Sequence, residues 1–267
     1  MFNRKTKHQQ RGFTLVEVTV VIVILSIVAS IGSSFVVSAL DSYRATHVRQ
    51  ILAQRARLTL EQMSRELRAA VPNSVRLSSS KQCIEFMPVV AAANYLDDLP
   101  TTANAKSAVN SIATAPVDMD LSDAVYLVVA PFSSGELYSN GSPSVRAKLG
   151  SLGSAPYSNF NLATATTFVR NSSQHRLYLA SSPLRYCVTD DVLWRYSNYT
   201  LSSQVVTDTD PGGTADRMSH GVTPDGNAFE ISPGSEDRNT TVIMNLQFNN
   251  ASQALVLQHQ VAIRNVP

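Results

Sequence analysis

The first forty residues contain the longest apolar segment of the chain. Nearly every position from Phe13 to Leu40 is apolar or small, and Glu17 is the only charged residue among these 28 positions. As an α-helix the segment would be roughly 42 Å long, which exceeds the roughly 30 Å of hydrocarbon in a bilayer. The pattern therefore predicts a transmembrane helix over residues 13–40.

The next segment, residues 41–71, has an apolar stripe instead of an apolar surface. Its apolar residues recur every three or four positions, which is typical of an amphipathic helix. Pro72 disfavours helical geometry at the preceding residue and is expected to end the helix at Val71. The arginines between the apolar positions indicate a solvated face or a subunit contact more than a lipid or nucleic-acid stripe. The stripe comprises Val48, Leu52, Ala56, Leu60, Met63, Leu67 and Val71.

Residues 72–267 are expected to form a head made mostly of antiparallel β-sheet. Short runs rich in Val, Ile, Leu, Tyr and Phe alternate with turn residues. Two pairs of runs suggest hairpins, one around Asp190-Asp191 and one around the loop 249–253. The fold class is therefore α+β, with the long N-terminal helix packed on this sheet. The predicted strands are Cys83 to Val90, Ala124 to Ala130, His175 to Ala180, Leu184 to Thr189, Val192 to Tyr199, Thr241 to Phe248 and Ala254 to Arg264.

Two long intervals of the head carry few bulky apolar residues. Ala91 to Asp123 and Phe132 to Ala165 are rich in Ser, Ala, Thr, Asn and Gly. We expect both to be surface insertions or poorly ordered loops.

Composition limits the classes of function. With 44% hydrophobic and 16% charged residues, the chain can bury one sizeable core. Its net charge of +2 depends on four basic residues among the first twelve. Without those twelve residues the chain has 18 basic and 20 acidic residues. A general nucleic-acid-binding role is therefore not expected, because phosphate contacts need clustered cations.

The sequence gives little sign of enzymatic or cofactor chemistry. It has no GxSxG, HExxH or GxxxxGK[ST] motif to position its scattered histidines, serines and aspartates. The segment Asp208 to Gly212 has the oxygen-rich composition of a calcium loop but lacks the later ligands of an EF-hand, so a turn is favoured. Trp194 is expected to pack in a strand or hairpin, with a carbohydrate platform as the alternative. We predict no catalytic residue, metal or cofactor.

The N-terminal motif carries the most specific signal. Basic residues at positions 4, 5, 7 and 11 precede Gly12, and the sequence continues Phe13-Thr14-Leu15-Val16-Glu17 into the apolar segment. This arrangement resembles the processing site of type IV prepilins. The resemblance implies a cleaved leader over residues 1–12, cut between Gly12 and Phe13 by the prepilin peptidase, and N-methylation of Phe13. The basic leader would stay in the cytoplasm.

Placing the Glu17 carboxylate in an apolar segment costs free energy, so the carboxylate is expected to have a partner. The resemblance to type IV prepilins implies that the Glu17 carboxylate pairs with the free N-terminal amine of a neighbouring subunit and directs subunit assembly. The alternatives are a carboxylate that reaches water from an ordinary signal anchor, and a secretory signal peptide cut near Ser30 to Ser34. Gly32-Ser33-Ser34 stands where many major pilins carry a proline, and can also bend or loosen the helix.

Cys83 and Cys187 fall in predicted strands of the segment that the anchor would place outside the cytoplasm. An oxidising periplasm makes a disulfide between them the first expectation. The alternative is a pair of buried free thiols.

The residues Leu60 to Arg68 and Val261 to Pro267 resemble J-like minor pilins, particularly those of the mannose-sensitive haemagglutinin (MSHA) pilus. The resemblance implies a single-pass inner-membrane protein with a periplasmic C-terminal domain, which later joins the pilus. Its partners would be other minor and major pilins and the pilus assembly platform, and it would help to initiate or cap the pilus. The alternatives are a J-type pseudopilin of type II secretion, a pilus-tip adhesin and a signal-anchored periplasmic domain.

Overall fold

The computed structural model describes residues 12–232, 239–251 and 253–264. It has the α+β fold that the sequence predicts, a long N-terminal helix followed by antiparallel β-sheets. The chain divides into two compact units, Met1–Gln50 and Ile51–Pro267. The helices are α1 (Leu15–Arg68) and α2 (Ser134–Tyr138), and the strands are β1 (Arg76–Leu77), β2 (Cys83–Phe86), β3 (Val89–Asn94), β4 (Val109–Val117), β5 (Tyr126–Val128), β6 (Arg146–Lys148), β7 (Tyr157–Thr166), β8 (Arg176–Ala180), β9 (Leu184–Thr189), β10 (Val192–Ser197), β11 (Thr214–His220), β12 (Val222–Ser232), β13 (Thr240–Asn250) and β14 (Gln253–Ile263).

Helix α1 is shorter at both ends than the predicted Phe13 to Val71. It begins at Leu15, because Thr14 caps its first turn, and it ends at Arg68. Beyond the helix the backbone N–H of Val71 donates to the carbonyl of Met87 at 2.8 Å, and Val89 N–H donates to Ala69 at 2.7 Å. The chain therefore leaves the helix before Pro72, because pairing with an extended segment replaces the last helical turn.

Within the second unit, the predicted apolar stripe of α1 is buried in the head. The polar residues Thr59 and Ser64 are buried with it, and the Ser64 hydroxyl donates to the Leu60 carbonyl at 2.6 Å. Burial of a stripe at helical spacing holds this part of the helix against the sheets. The buried apolar residues are Leu52, Ala56, Leu60, Met63 and Leu67.

Within the described residues the strands form four sheets. Their orders are β1-β2-β9-β10-β11, β12-β13-β14, β3-β8-β5-β6 and β4-β7, and every pair of neighbouring strands is antiparallel. All seven segments predicted as strands contain strands, and the first of them contains β2 and the start of β3.

Two extended runs pass from the first sheet into the third. Phe86 in β2 pairs with Leu184 in β9, whereas Val89 in β3 pairs with Ala180 in β8. Pro88 and Pro183 stand at the two breaks, where a missing backbone donor is tolerated. The predicted single strand from Cys83 to Val90 is therefore wrong, because the run changes partners at Pro88.

Both predicted hairpins are confirmed. Asp190 and Asp191 have φ angles of 52° and 58°, the left-handed pair that a two-residue hairpin turn requires. In the second hairpin the strands extend further than predicted, since Asn250 pairs with Gln253. Of the residues predicted for that loop, Ser252 lies outside the described part of the chain.

The prediction of surface insertions is wrong for both long intervals. Strands β4 and β7 pair with each other across the two intervals, with Ile112 opposite Phe160. Both side chains are buried, together with Leu162 from β7 and Phe168, in a core shared with β3, β5 and β8. Each strand has only a few large side chains among Ala, Ser and Thr. These few are enough to anchor the two strands in the core, because the strands satisfy each other's backbone hydrogen bonds.

Candidate assembly site

The N-terminal end of α1 is a capped helix start. The Glu17 backbone N–H donates to the Thr14 hydroxyl at 3.3 Å, and Val18 N–H donates to the Thr14 carbonyl at 3.3 Å. Thr14 and Glu17 thus have the spacing of a capping box, in which a carboxylate lies three residues after the cap. The role of Thr14 was not predicted from the sequence, although the Thr-x-x-Glu pattern preceding an apolar run indicates it.

Gly12 has open space around it in the part of the chain that the structure describes. A Cβ built on Gly12 would meet no atom within 4 Å. Phe13 beside it is 81% exposed. The described residues therefore leave open space beside the backbone at Gly12.

The apolar part of α1 is uncovered, and four of its hydroxyl groups donate hydrogen bonds within the helix. One 18-residue window of the helix has a mean hydropathy of 2.7 with 0% of the window buried. The hydroxyls of Thr19, Ser26, Ser33 and Ser34 donate to carbonyls three or four residues earlier, at 2.8–2.9 Å. Hydroxyls bonded in this way lower the cost of placing the helix in hydrocarbon.

Glu17 differs from those hydroxyl groups. No side chain in the described residues forms an ion pair with it. The partial positive charge of the helix N-terminus favours a carboxylate at this position, but only weakly. In an apolar environment the carboxylate would need a polar or cationic partner.

Polar contacts join the part of α1 after Gln50 to two of the sheets, β1-β2-β9-β10-β11 and β12-β13-β14. Glu66 accepts hydrogen bonds from the Tyr186 hydroxyl at 2.6 Å and from Arg195 Nε at 3.2 Å. Burial raises the pKa of Tyr186, and the hydrogen bond to the Glu66 carboxylate raises it further. Arg55 donates to His220 Nε2 at 3.0 Å and to the Asn249 carbonyl at 3.3 Å. These directional contacts fix the register of the helix on the head.

A buried ionic cluster lies beneath the loop 202–209. Glu85 is 1% exposed and accepts hydrogen bonds from two arginines and a tyrosine. The distances are 2.8 Å from Arg76 Nε, 2.7 Å from Arg185 Nη2 and 2.9 Å from the Tyr199 hydroxyl. Burial, followed by the nearby Glu85 carboxylate, raises the pKa of Tyr199. This cluster was not predicted from the sequence, although a Glu and an Arg within apolar strands indicate a buried ion pair.

The same arginines hold the loop. Arg76 donates to the carbonyls of Ser202 and Gln204, both at 2.9 Å, and Arg185 donates to Thr207 and Thr209 at 3.1 and 3.2 Å. The loop therefore rests on the ionic cluster through four backbone contacts.

The segment Asp208 to Gly212 has the geometry of a turn. Asp210 Oδ1 accepts the Gly212 N–H at 2.7 Å, and Asp208 Oδ1 accepts the Ser80 hydroxyl at 2.6 Å. In the described residues no group of three or more His, Cys, Asp or Glu side chains is arranged to hold a metal ion.

A disulfide joins Cys83 to Cys187, which are directly opposite in β2 and β9. Both cysteines are buried in a small cluster with Tyr196 and Tyr199, and the partly buried Trp194 packs against it. Trp194 lies opposite Cys187 in register. This environment is that of a packing residue beside a structural disulfide.

The comparisons with known proteins bear on the N-terminus. A family model described as the prokaryotic N-terminal methylation motif matches residues 7–33. None of the curated proteins and none of the solved structures matches the chain. The motif implies processing by the prepilin peptidase and a pilin-like assembly context. Together, the motif and the apolar N-terminal helix fit a membrane-anchored precursor of the pilin or pseudopilin kind.

Proposed function

We propose that the chain is a minor type IV pilin, of the MSHA type, which helps to initiate or cap pilus assembly after its leader is removed. The observation that carries the proposal is Glu17, a lone carboxylate in an uncovered apolar helix within a methylation motif. Cleavage after Gly12 would create a free amine on Phe13, the cation that the Glu17 carboxylate of a neighbouring subunit lacks.

The mechanism in this proposal is non-enzymatic. The apolar helix packs with other pilin helices in the inner membrane and later in the filament, and the Glu17–amine pair sets the register between subunits. The head, in the periplasm before assembly, makes the selective contacts with minor and major pilins and with the assembly platform.

The size of the head supports a minor subunit. Its described residues form four sheets, and a buried ionic cluster and a disulfide link strands of the first sheet. A head of this size is difficult to pack in thousands of copies along a filament. It suits a subunit that is present in few copies at a filament end.

The first experiment measures pili sheared from cells that lack this gene, with the complemented strain beside them. We expect loss of pili in the deletion strain and recovery on complementation. Secretion of folded proteins is measured in the same strains, because the same motif occurs in J-type pseudopilins. Normal piliation with lost secretion would contradict the proposal and assign the chain to type II secretion. Normal piliation with lost adhesion to host cells would assign it to a tip adhesin.

Mass spectrometry of the isolated subunit tests the N-terminus separately. The proposal requires a chain that begins at Phe13 and carries one additional methyl group. A full-length chain, or a cut near Ser30 to Ser34, would contradict processing by the prepilin peptidase.

A further inference from the structure

Three arginines from distant parts of the chain line one cavity of the head. Arg68 comes from the last turn of α1, Arg176 from the start of β8, and Arg264 directly follows β14. The cavity has a volume of about 420 Å³ and no acidic residue in its lining; Pro72, Val89 and Tyr178 form its less polar walls.

These arginines differ from four other arginines of the head. Arg76, Arg170, Arg185 and Arg195 each form an ion pair with a carboxylate of the head. In the described residues, the guanidinium groups of the three cavity arginines have no ion pair or side-chain hydrogen bond.

A local role accounts for only one of the three. Arg68 lies at the C-terminal end of α1, where the exposed carbonyls favour a cation. Neither Arg176 nor Arg264 lies at a helix end, yet both bring positive charge to the same cavity. The convergence is also not a consequence of overall charge, because without the first twelve residues the chain has 18 basic and 20 acidic residues.

We propose that this cavity binds carboxylate side chains of an acidic segment on another protein subunit. Guanidinium groups hold carboxylates through paired, charge-assisted hydrogen bonds. The walls formed by Pro72, Val89 and Tyr178 suit apolar side chains that flank the acidic ones, which a hydrated inorganic anion lacks. That the partner is a pilin-like subunit rests on the proposed function, whereas the recognition of carboxylates does not.

The test measures binding of a tetrapeptide with two glutamates between two leucines to the full chain in zwitterionic detergent. The matching peptide with two glutamines, and inorganic phosphate, are the comparison probes. Replacing both Arg176→Gln and Arg264→Gln should weaken binding of the acidic peptide about tenfold for each guanidinium removed. The double variant Arg57→Gln, Arg217→Gln changes net charge equally at exposed sites outside the cavity and should bind as wild type.

Equal loss of affinity in the two double variants would overturn the proposal, since binding would then follow the general charge of the protein. Phosphate that competes at the same concentration as the acidic peptide would also overturn it, in favour of a simple oxyanion site. If the Gln variant does not fold, Arg176→Lys with Arg264→Lys keeps the charges but removes the paired donors, and should bind several-fold more weakly. Cells carrying a variant that has lost peptide binding but makes normal pili would contradict the role in pilus assembly and leave the carboxylate site standing.

Discussion

Replacing Glu85 by glutamine should destabilise the head far more than any exposed charge substitution. The substitution keeps the size of the side chain and removes its charge. It leaves Arg185, whose side chain is 6% exposed, and Arg76, at 14%, without the carboxylate that both contact. One of the amide donors of the new glutamine would also face a guanidinium.

The expected loss in free energy of unfolding is about 3 kcal/mol. Removing one partner of a buried ion pair typically costs about 3–5 kcal/mol, because a charge remains buried without compensation. The lower part of that range applies here, since both guanidiniums keep the carbonyls of the loop 202–209 as acceptors. A domain has roughly 5–15 kcal/mol of stability in total, so the loss would be easily measured.

Urea unfolding of the full chain in detergent, followed by Trp194 fluorescence, gives the measurement. Trp194 is the only tryptophan and packs beside the disulfide cluster. The control Glu61→Gln removes an exposed carboxylate of α1 and should change stability by less than about 0.5 kcal/mol. Hydrogen exchange should also accelerate in the loop 202–209 of the Glu85 variant. The same stability in both variants would refute the argument that Glu85 compensates the buried arginines.

The other predictions concern the N-terminus and one surface ion pair. Gly12→Trp should leave the precursor uncut although a Cβ at this position would meet no atom within 4 Å, and a mature-sized band on an immunoblot would contradict the site. Glu17→Gln preserves a capping-box partner but removes the charge, so it should be processed yet poorly incorporated into pili, as should Glu17→Ala. The matched variant Thr14→Ala removes only the cap and should be incorporated into pili. If Thr14→Ala were incorporated less well than Glu17→Gln, Glu17 would act only as a capping residue. The hydrogen bond from Arg170 holds the pKa of Glu136 below its ordinary 4.5. That pair therefore stabilises the head above pH 4.5 and is lost as pH falls through the lowered pKa. The stability difference between wild type and Glu136→Gln, from urea titrations, should accordingly vanish in acid; a difference that persists there would rule out the ion pair as its source.

Sequence patterns predicted the elements whose signal is local. The apolar run, the stripe from Leu52 to Leu67 and the Asp190-Asp191 hairpin depend on neighbours a few residues away, and the structure contains all three. The motif around Gly12 is local in the same sense.

Elements that depend on distant partners were missed or misjudged. Strand β4 is recognisable only beside β7, since Ile112 and Phe160 cover each other across 48 positions of the chain. Strand β12 contains Pro224-Asp225-Gly226, a turn-like sequence, and its register shifts between Pro224 and Phe229 to accommodate these residues. The Arg68, Arg176 and Arg264 cavity has no sequence signature, because only the folded chain brings the three together.

The disulfide also decides how the chain responds to pulling. Cys83 and Cys187 are 104 positions apart, and their bond closes the intervening chain into a covalent loop. Tension applied between α1 and β14 passes through the sulfur atoms and bypasses that loop. Even if the bypassed sheets unravelled, roughly 350 Å of extended chain would not add to the distance between the two ends. Reduction of this one bond would release that length and add it to the extension of an unravelled head.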